Sequence, residues 1–151
     1  MRVAVTINGR PAVLEVTADE FLADSLRAAG YASVRRGCDT TNCGLCTVWV
    51  DGRPVLSCAV LTARLAGKAI TTIEGVADEA AAFASLLVAE GAEQCGFCSP
   101  GFIMTVLAMK RELTNPNEEA IIHYLTGNLC RCSGYMGQLR AVKKYLEVND
   151  G

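Results

Sequence analysis

The residues of this sequence with the clearest capacity for chemistry are its eight cysteines. They form two sets of four, one in each half of the chain: Cys38, Cys43, Cys46 and Cys58, then Cys95, Cys98, Cys130 and Cys132. The first residues alternate apolar with polar types and show no secretory signal, so we expect a reducing cytoplasm, where disulfides are rare. Eight thiols in 151 residues therefore predict ligation of a metal or a metal cluster.

The first set has the spacing of plant-type ferredoxins. Four residues separate Cys38 from Cys43, two separate Cys43 from Cys46, and eleven separate Cys46 from Cys58. A [2Fe–2S] core held by four thiolates carries a formal charge of roughly −2 in its oxidised form. We therefore expect the loop to point backbone N–H groups at the sulfurs, as an anion nest does.

Two further features of this loop suit an anionic cluster. Gly37 and Gly44 permit the positive φ or the close backbone approach that a tight loop with three ligands needs. Arg35 and Arg36 are adjacent and could offset the negative charge. Structural zinc also takes four thiolates, but its usual ligand runs are paired C-x2–4-C units, so the spacing favours a cluster.

The second set is less diagnostic when the cysteines are taken alone. Cys95 and Cys98 form a C-x2-C pair, whereas Cys130 and Cys132 form a C-x-C pair with Arg131 between them. A C-x-C pair is awkward for a compact zinc tetrahedron, so the spacing favours a cluster but leaves zinc open. Both pairs precede predicted helices, whose N-terminal N–H groups and dipoles favour a bound anion.

The first half of the chain is predicted to be a small mixed sheet with one helix across it. Alternating apolar residues flank the turn signals Asn8-Gly9 and Asp51-Gly52, which predict two hairpins. A capping-box pattern at Thr17–Glu20 predicts a helix that ends at Gly30. Another short strand is predicted over 69–73. Trp49, on a hairpin strand, is predicted to be a core or interface residue.

The second half is predicted to be helical, because strand signals vanish after Asp78. Four helices are predicted, over 80–90, 99–113, from Asn115-Pro116 to just before Gly127, and over 137–148. Short loops between them indicate a small bundle. The predicted fold class is therefore α+β, with one domain at residues 1–76 and a helical domain at residues 77–151, each with four cysteines.

The composition argues against several classes of function. The formal net charge is −2 and no run of Lys or Arg occurs, so a nucleic-acid partner is not expected. No apolar segment approaches the roughly 18 residues that a membrane span needs. No catalytic nucleophile, base, G-x-G-x-x-G or P-loop run is present, so we predict no catalytic residue in this chain. His123, the only histidine, is predicted to be structural or at the surface.

Three motifs resemble the iron–sulfur (small) subunit of the xanthine oxidase family of molybdenum hydroxylases, the type found in xanthine and carbon monoxide dehydrogenases. The motifs are GCDTTNCGLCTV from Gly37, QCGFCSPG from Gln94 and GNLCRCSGY from Gly127. The resemblance covers nearly the whole chain and keeps the order and spacing of all eight cysteines. It implies a β-grasp ferredoxin-like first domain, a four-helix-bundle second domain, and a [2Fe–2S] cluster in each.

The resemblance also implies an electron-transfer role within a multi-subunit oxidoreductase. Electrons would start at molybdopterin, in its cytosine dinucleotide form, on a large catalytic subunit. They would pass through the second cysteine set and then the first, and would end at FAD on a medium subunit. Gln94 and Cys132 match positions that contact the pterin in relatives. A cytoplasmic heterotrimer or dimer of heterotrimers is expected. The segment Asp39–Asn42 departs from the family's usual pattern, which leaves the substrate open.

Two other interpretations of the sequence compete with this one. The first is a free-standing two-cluster ferredoxin, although a helical bundle is excessive for a diffusible carrier and such carriers are usually more acidic than −2. The second is a zinc-stabilised interaction module. Metal analysis distinguishes the zinc module, since two [2Fe–2S] clusters bring iron, sulfide and a brown colour.

Overall fold

The computed structural model describes residues 1–148, and the first half of this range forms a mixed β-sheet. Its strands are β1 (Arg2–Ile7), β2 (Arg10–Glu15), β3 (Thr47–Val50), β4 (Arg53–Leu56) and β5 (Ala69–Thr71). Their order across the sheet is β2-β1-β5-β3-β4. The central strand β5 runs parallel to β1 and antiparallel to β3, whereas both outer pairs are antiparallel. The parallel pair requires a long crossover, which carries the first cysteine loop.

Both predicted hairpin turns are confirmed. Asn8 and Gly9 have φ angles of 51° and 77°, and Asp51 and Gly52 have φ angles of 49° and 79°. Two successive positive φ values define the turn whose twist matches that of the flanking strands, which is why Asn-Gly and Asp-Gly are favoured there.

Helix α1 (Leu22–Ala28) packs across the sheet, but it does not begin as predicted. Its N-cap is Phe21, which makes no side-chain cap hydrogen bond. The Glu20 carboxylate accepts hydrogen bonds from the Thr17 N–H at 3.3 Å and from the Ser25 hydroxyl at 2.7 Å, whereas the Thr17 hydroxyl bonds Asp19. The Glu20 half of the predicted capping box is therefore present, but the prediction that it begins the helix is wrong, because Thr17–Glu20 forms a separate turn ahead of α1.

The second half is a bundle of four helices, as predicted. They are α2 (Ala77–Ala89), α3 (Ser99–Glu112), α4 (Glu118–Tyr124) and α5 (Met136–Tyr145). Helix α4 begins later than expected because Asn117, rather than Asn115, is its N-cap and accepts a hydrogen bond from the Ala120 N–H. The α+β fold class is thus confirmed. Residues 149–151 of the predicted second domain lie outside the described residues.

Helix α3 is the centre of the bundle, since every residue from Gly101 to Met109 is buried. The helix contacts α2 on one side and strands β3 and β4 on another. A helix that is apolar all round is stable in water only when it is covered in this way. The sheet therefore forms part of the environment of the bundle, and the two halves of the chain share one packed region.

Trp49 and two glycines join the halves. Trp49 is buried in the core of the second half, and its indole N–H donates to the Met104 carbonyl at 3.0 Å. A Cβ at Gly101 would lie 2.3 Å from the Gly44 carbonyl oxygen, so the two backbones touch. The core or interface role predicted for Trp49 is confirmed. The division of the chain after residue 76 stays a prediction.

None of the helices within residues 1–148 has both the length and the apolar character that a membrane span requires.

Candidate metal centres

The first cysteine set is assembled from a loop and a turn that lie next to each other. Cys38, Cys43 and Cys46 belong to the loop before β3, and Cys58 lies in a short 3-10 turn that follows β4. Ser57 holds the turn against the loop, because its hydroxyl donates to the Cys46 carbonyl at 2.7 Å. Strand pairing of β3 with β4 thus brings Cys58 to the other three cysteines.

All four thiols of this set influence one another, and the strongest interactions are those of Cys38 with Cys43 and of Cys58 with Cys46. The backbone N–H of Asn42, with those of neighbouring loop residues, donates to the Cys38 sulfur and lowers its pKa to about 6. Burial raises the pKa of Cys43, and burial raises the pKa of Cys58 to about 12. The predicted nest of N–H groups is present at Cys38.

The second set is built from two loops that each precede a helix, as predicted. Cys95 and Cys98 lead into α3, and Cys130 and Cys132 lead into α5. Its sulfurs also form two closest pairs: the Cys132 sulfur lies 3.5 Å from that of Cys95, and the Cys98 thiol interacts most strongly with that of Cys130. Each pair joins one cysteine from each loop, so the site exists only when the bundle has packed.

Backbone donors surround this set as well. The N–H groups of Cys132 and Ser133 donate to the Cys130 sulfur at 3.4 and 3.3 Å, and the Phe97 N–H donates to Cys95 at 3.5 Å. Burial raises the pKa of Cys130, but hydrogen bonds from the Ser133 hydroxyl and these N–H groups outweigh it, and the net pKa is lowered. Burial raises the pKa of Cys98 to about 12.

The paired sulfurs fit a binuclear iron–sulfur core. Each iron of a [2Fe–2S] cluster takes two protein thiolates, so four cysteines in two pairs match its ligand demand. Tetrahedral metal–thiolate bonds of about 2.3 Å place two sulfurs on one metal roughly 3.8 Å apart, close to the separation between Cys95 and Cys132. Within the described residues, no three His, Cys, Asp or Glu side chains are gathered as ligands of a single ion.

A cleft of about 660 Å³ connects the two sets and is lined by cysteines of both. At its inner end the Leu129 N–H donates to the Cys43 carbonyl at 2.9 Å. Leu129 directly precedes Cys130, so a single hydrogen bond links a backbone segment of one set to a segment of the other.

Arg35 and Arg36 were both expected to offset the charge of the first cluster, but the structure places them at different cysteine loops. Arg36 stays near the first loop, where it forms ion pairs with Asp24 at 3.7 Å and with Asp39 at 3.4 Å. The Arg35 guanidinium instead reaches the second set, donates to the Gly96 carbonyl and lies 5.2 Å from the centre of the Phe97 ring. Arg35 therefore connects the first loop to the loop of Cys95 and Cys98.

The two residues expected to contact a pterin lie on one exposed edge. Gln94 and Cys132 are both exposed, and Gln94 adjoins Cys95, whose sulfur contacts that of Cys132. Cys98 and Cys130 are less exposed than Cys95 and Cys132, and they line the crevice that also contains Cys43. His123 is exposed on α4, as predicted.

Three residues around the sites were not identified from the sequence. Ser57 positions Cys58, the Tyr135 hydroxyl accepts a hydrogen bond from the Cys130 N–H at 3.2 Å, and the Gln138 amide reaches Cys98. Ser57 directly precedes Cys58, and Tyr135 is the last residue of the third cysteine motif, so both positions could have marked these residues. Gln138 carries no such signal, because helix packing alone brings it to the site.

Comparison with known families agrees with this geometry. Residues 5–70 match the family described as "2Fe-2S iron-sulfur cluster binding domain", and residues 72–143 match the family described as "[2Fe-2S] binding domain". The fold and the paired cysteines define a two-cluster [2Fe–2S] protein.

Individual relatives cover nearly the whole chain. The xanthine dehydrogenase iron-sulfur-binding subunit of Escherichia coli O157:H7 is 42% identical over 86% of this chain and 84% of its own length. The nicotine 6-hydroxylase small subunit of Paenarthrobacter nicotinovorans is 38% identical over 94% and 87%. The crystal structure of quinoline 2-oxidoreductase from Pseudomonas putida 86 superposes with a TM-score of 0.88 at 34% identity, over 97% of this chain and 92% of that chain.

The chain belongs to the iron–sulfur subunits of the xanthine oxidase family of molybdenum hydroxylases. It is an electron-transfer subunit of an oxidoreductase complex and carries two [2Fe–2S] clusters.

Proposed function

We propose that each cysteine set holds one [2Fe–2S] cluster and that this chain conducts electrons from a molybdopterin centre to FAD, both on partner subunits. The ligands are Cys38, Cys43, Cys46 and Cys58 for the first cluster, and Cys95, Cys98, Cys130 and Cys132 for the second. The observation that carries the assignment is that four cysteine thiols interact with one another at each site, with the sulfurs of Cys95 and Cys132 only 3.5 Å apart. Such a cluster, when bound, takes up and releases one electron.

The order of the two sites follows from their exposure. Gln94 and Cys132 present an exposed edge of the second set, which suits contact with a pterin on a large subunit. The hydrogen bond from Leu129 to the Cys43 carbonyl then offers a short bonded route to the first set. Electrons leave by the Cys38–Cys46 loop, where Cys38 is only partly buried and Asp39 is exposed.

The partners are a large subunit with molybdopterin, in its cytosine dinucleotide form, and a medium subunit with FAD. They assemble as a heterotrimer or a dimer of heterotrimers in the cytoplasm. Support comes from the relatives whose names describe small subunits of larger enzymes, such as nicotine 6-hydroxylase. The absence of a nucleotide-binding motif in this chain agrees with cofactor binding on other subunits.

The ligand assignment is tested by two single substitutions in the purified complex. Cys43→Ser is expected to remove one EPR signal of the reduced enzyme and to stop transfer to FAD, since it disrupts only the first site. Cys98→Ser is expected to remove the other signal and to isolate the molybdenum centre. Iron content should fall from four to about two per chain in each variant, because each [2Fe–2S] centre contributes two.

Loss of both signals in either variant, with the protein still folded, would contradict one cluster per set. A colourless zinc protein would contradict the cluster assignment as a whole. A homogeneous monomer that keeps both clusters and binds neither a flavin nor a molybdenum subunit would support the free-standing ferredoxin instead.

A further inference from the structure

Gln138 is a buried polar side chain that points at the second cysteine set. It is the third residue of α5 and is only 5% exposed. Its side-chain Nε2 donates toward the Cys98 sulfur at 3.9 Å. The crevice that Gln138 lines also contains Cys130 and, from the first set, Cys43. Burying an amide in an apolar core costs free energy unless the amide is hydrogen-bonded, so the bond to the Cys98 sulfur offsets the burial of Gln138.

The start of α5 holds this amide in place. Tyr135, the N-cap, has a φ of 70°, and its hydroxyl is bonded to the Cys130 N–H. Gly137 packs so closely against the end of α2 that a Cβ there would lie 3.1 Å from the Glu90 carbonyl oxygen and 3.2 Å from the Ala92 Cβ. The first turn of α5 is therefore fixed on both sides, and Gln138 has little freedom to turn away from Cys98.

An N–H donor beside a ligand thiolate affects the energy of reduction. An added electron increases the negative charge on the sulfurs, so the hydrogen bond strengthens in the reduced state and stabilises it. Burial enhances the effect, because little water is present to screen the interaction. A donor of this kind raises the reduction potential of the cluster that it contacts.

We propose that Gln138 is a positioning residue that raises the reduction potential of the second cluster through Cys98. The inference rests on the proposed function, in which that cluster is the first to receive electrons from molybdenum. A higher potential at this site favours that electron transfer. Within residues 1–148 no side-chain amide donates to a sulfur of the first set, and the Ser57 hydroxyl bonds a carbonyl and not a sulfur.

The test is an EPR redox titration of both clusters in the assembled complex. Gln138→Met keeps the length of the side chain and removes the N–H donor, so the midpoint potential of the second cluster should fall while that of the first stays unchanged. Gln138→Glu replaces the donor by a carboxylate, and the fall should be larger because a negative charge opposes reduction. The first cluster is the internal control, and the signal that Cys98→Ser removes identifies the second.

A second measurement leaves Gln138 unchanged, so a folding defect of the Gln138 variants does not affect it. The chain contains two glutamines, Gln94 and Gln138. Protein labelled with nitrogen-15 in the glutamine side chains should show nitrogen hyperfine coupling to the reduced second cluster in pulsed EPR. The coupling should persist in labelled Gln94→Asn protein, in which Gln138 carries the only label.

The outcomes separate the two levels of the proposal. The role of Gln138 would be overturned if both clusters of Gln138→Met kept their midpoint potentials, or if both potentials shifted equally. Either result would leave the ligand assignment intact. Absence of coupling in labelled Gln94→Asn protein would also overturn it. A wild-type complex without two [2Fe–2S] signals would instead overturn the proposed function.

Discussion

At Gly101 the backbone of α3 lies directly against the backbone of the first cysteine loop. A Cβ on this residue would be 2.3 Å from the Gly44 carbonyl oxygen and 2.8 Å from the Leu45 Cα. Both neighbours are main-chain atoms, which cannot rotate aside as a flexible side chain could. Gly44 has a φ of 75°, a conformation that favours glycine. Single residues without side chains thus allow the two cysteine sets to approach each other.

Replacing Gly101 by alanine should therefore destabilise the protein. Overpacking of this kind costs about 1–3 kcal/mol, partly offset by the roughly 1 kcal/mol by which alanine favours a helix over glycine. The measurement is the free energy of urea unfolding, followed by circular dichroism. Gly127→Ala is the matched control, because a Cβ at Gly127 meets no atom within 4 Å. Equal stability of the two variants would contradict the tight contact.

At the scale of elements, the helices of the second half differ in how their first turns are used. Helices α3 and α5 begin directly after cysteine loops, and free N–H groups at helix starts favour a nearby anion. Helix α4 begins away from the cysteines, and the Asn117 side chain satisfies its first turn. The two helix starts at the second site lack such a side-chain cap. Helix α2 also starts without a side-chain cap, although no cysteine lies at its start, so the missing cap alone does not mark a site.

Asn117→Ala should lower the free energy of unfolding by about 1 kcal/mol, since the hydrogen bond to the Ala120 N–H is lost. Asn117→Ser should retain most of the stability, because serine is also a good N-cap. Urea unfolding measures both differences. The EPR signals of both clusters should stay unchanged in either variant, and a change in the second signal would show that α4 supports that site directly.

At the scale of the whole molecule, Trp49 joins the sheet to the bundle. Its indole N–H donates to the Met104 carbonyl, and the Arg111 guanidinium lies 4.0 Å from the centre of its ring. Arg111 in turn forms an ion pair with Glu79 of α2. A strand of the first half is therefore anchored to two helices of the second, which favours cooperative unfolding of the two halves.

Trp49→Ala should destabilise the junction, since removing a buried tryptophan costs about 3–5 kcal/mol. Unfolding of the wild type should be a single transition by both far-ultraviolet circular dichroism and the visible absorbance of the clusters. In the variant the two signals should separate, because each half then unfolds with its own stability. Coincident transitions at the wild-type midpoint would contradict the role of Trp49 as the anchor.

Much of the fold followed from local patterns in the sequence. The Asn8-Gly9 and Asp51-Gly52 turns were predictable because a two-residue hairpin depends on the φ angles of its own residues. The helix starts predicted at Thr17–Glu20 and at Asn115 were misplaced, since several nearby polar residues can form a turn or a cap and packing chooses among them. Asn117 became the cap of α4, and Glu20 became the partner of Ser25.

The sequence by itself determined the chemistry of the sites, because ligand type and the spacing of Cys38, Cys43 and Cys46 depend on one short loop. Only the tertiary structure decided how distant segments complete them. It brought Arg35 to the second loop rather than the first, and it brought Gln138 to Cys98. These contacts join residues 61 and 40 positions apart. Such contacts depend on how helices and strands pack, which no local pattern in the chain encodes.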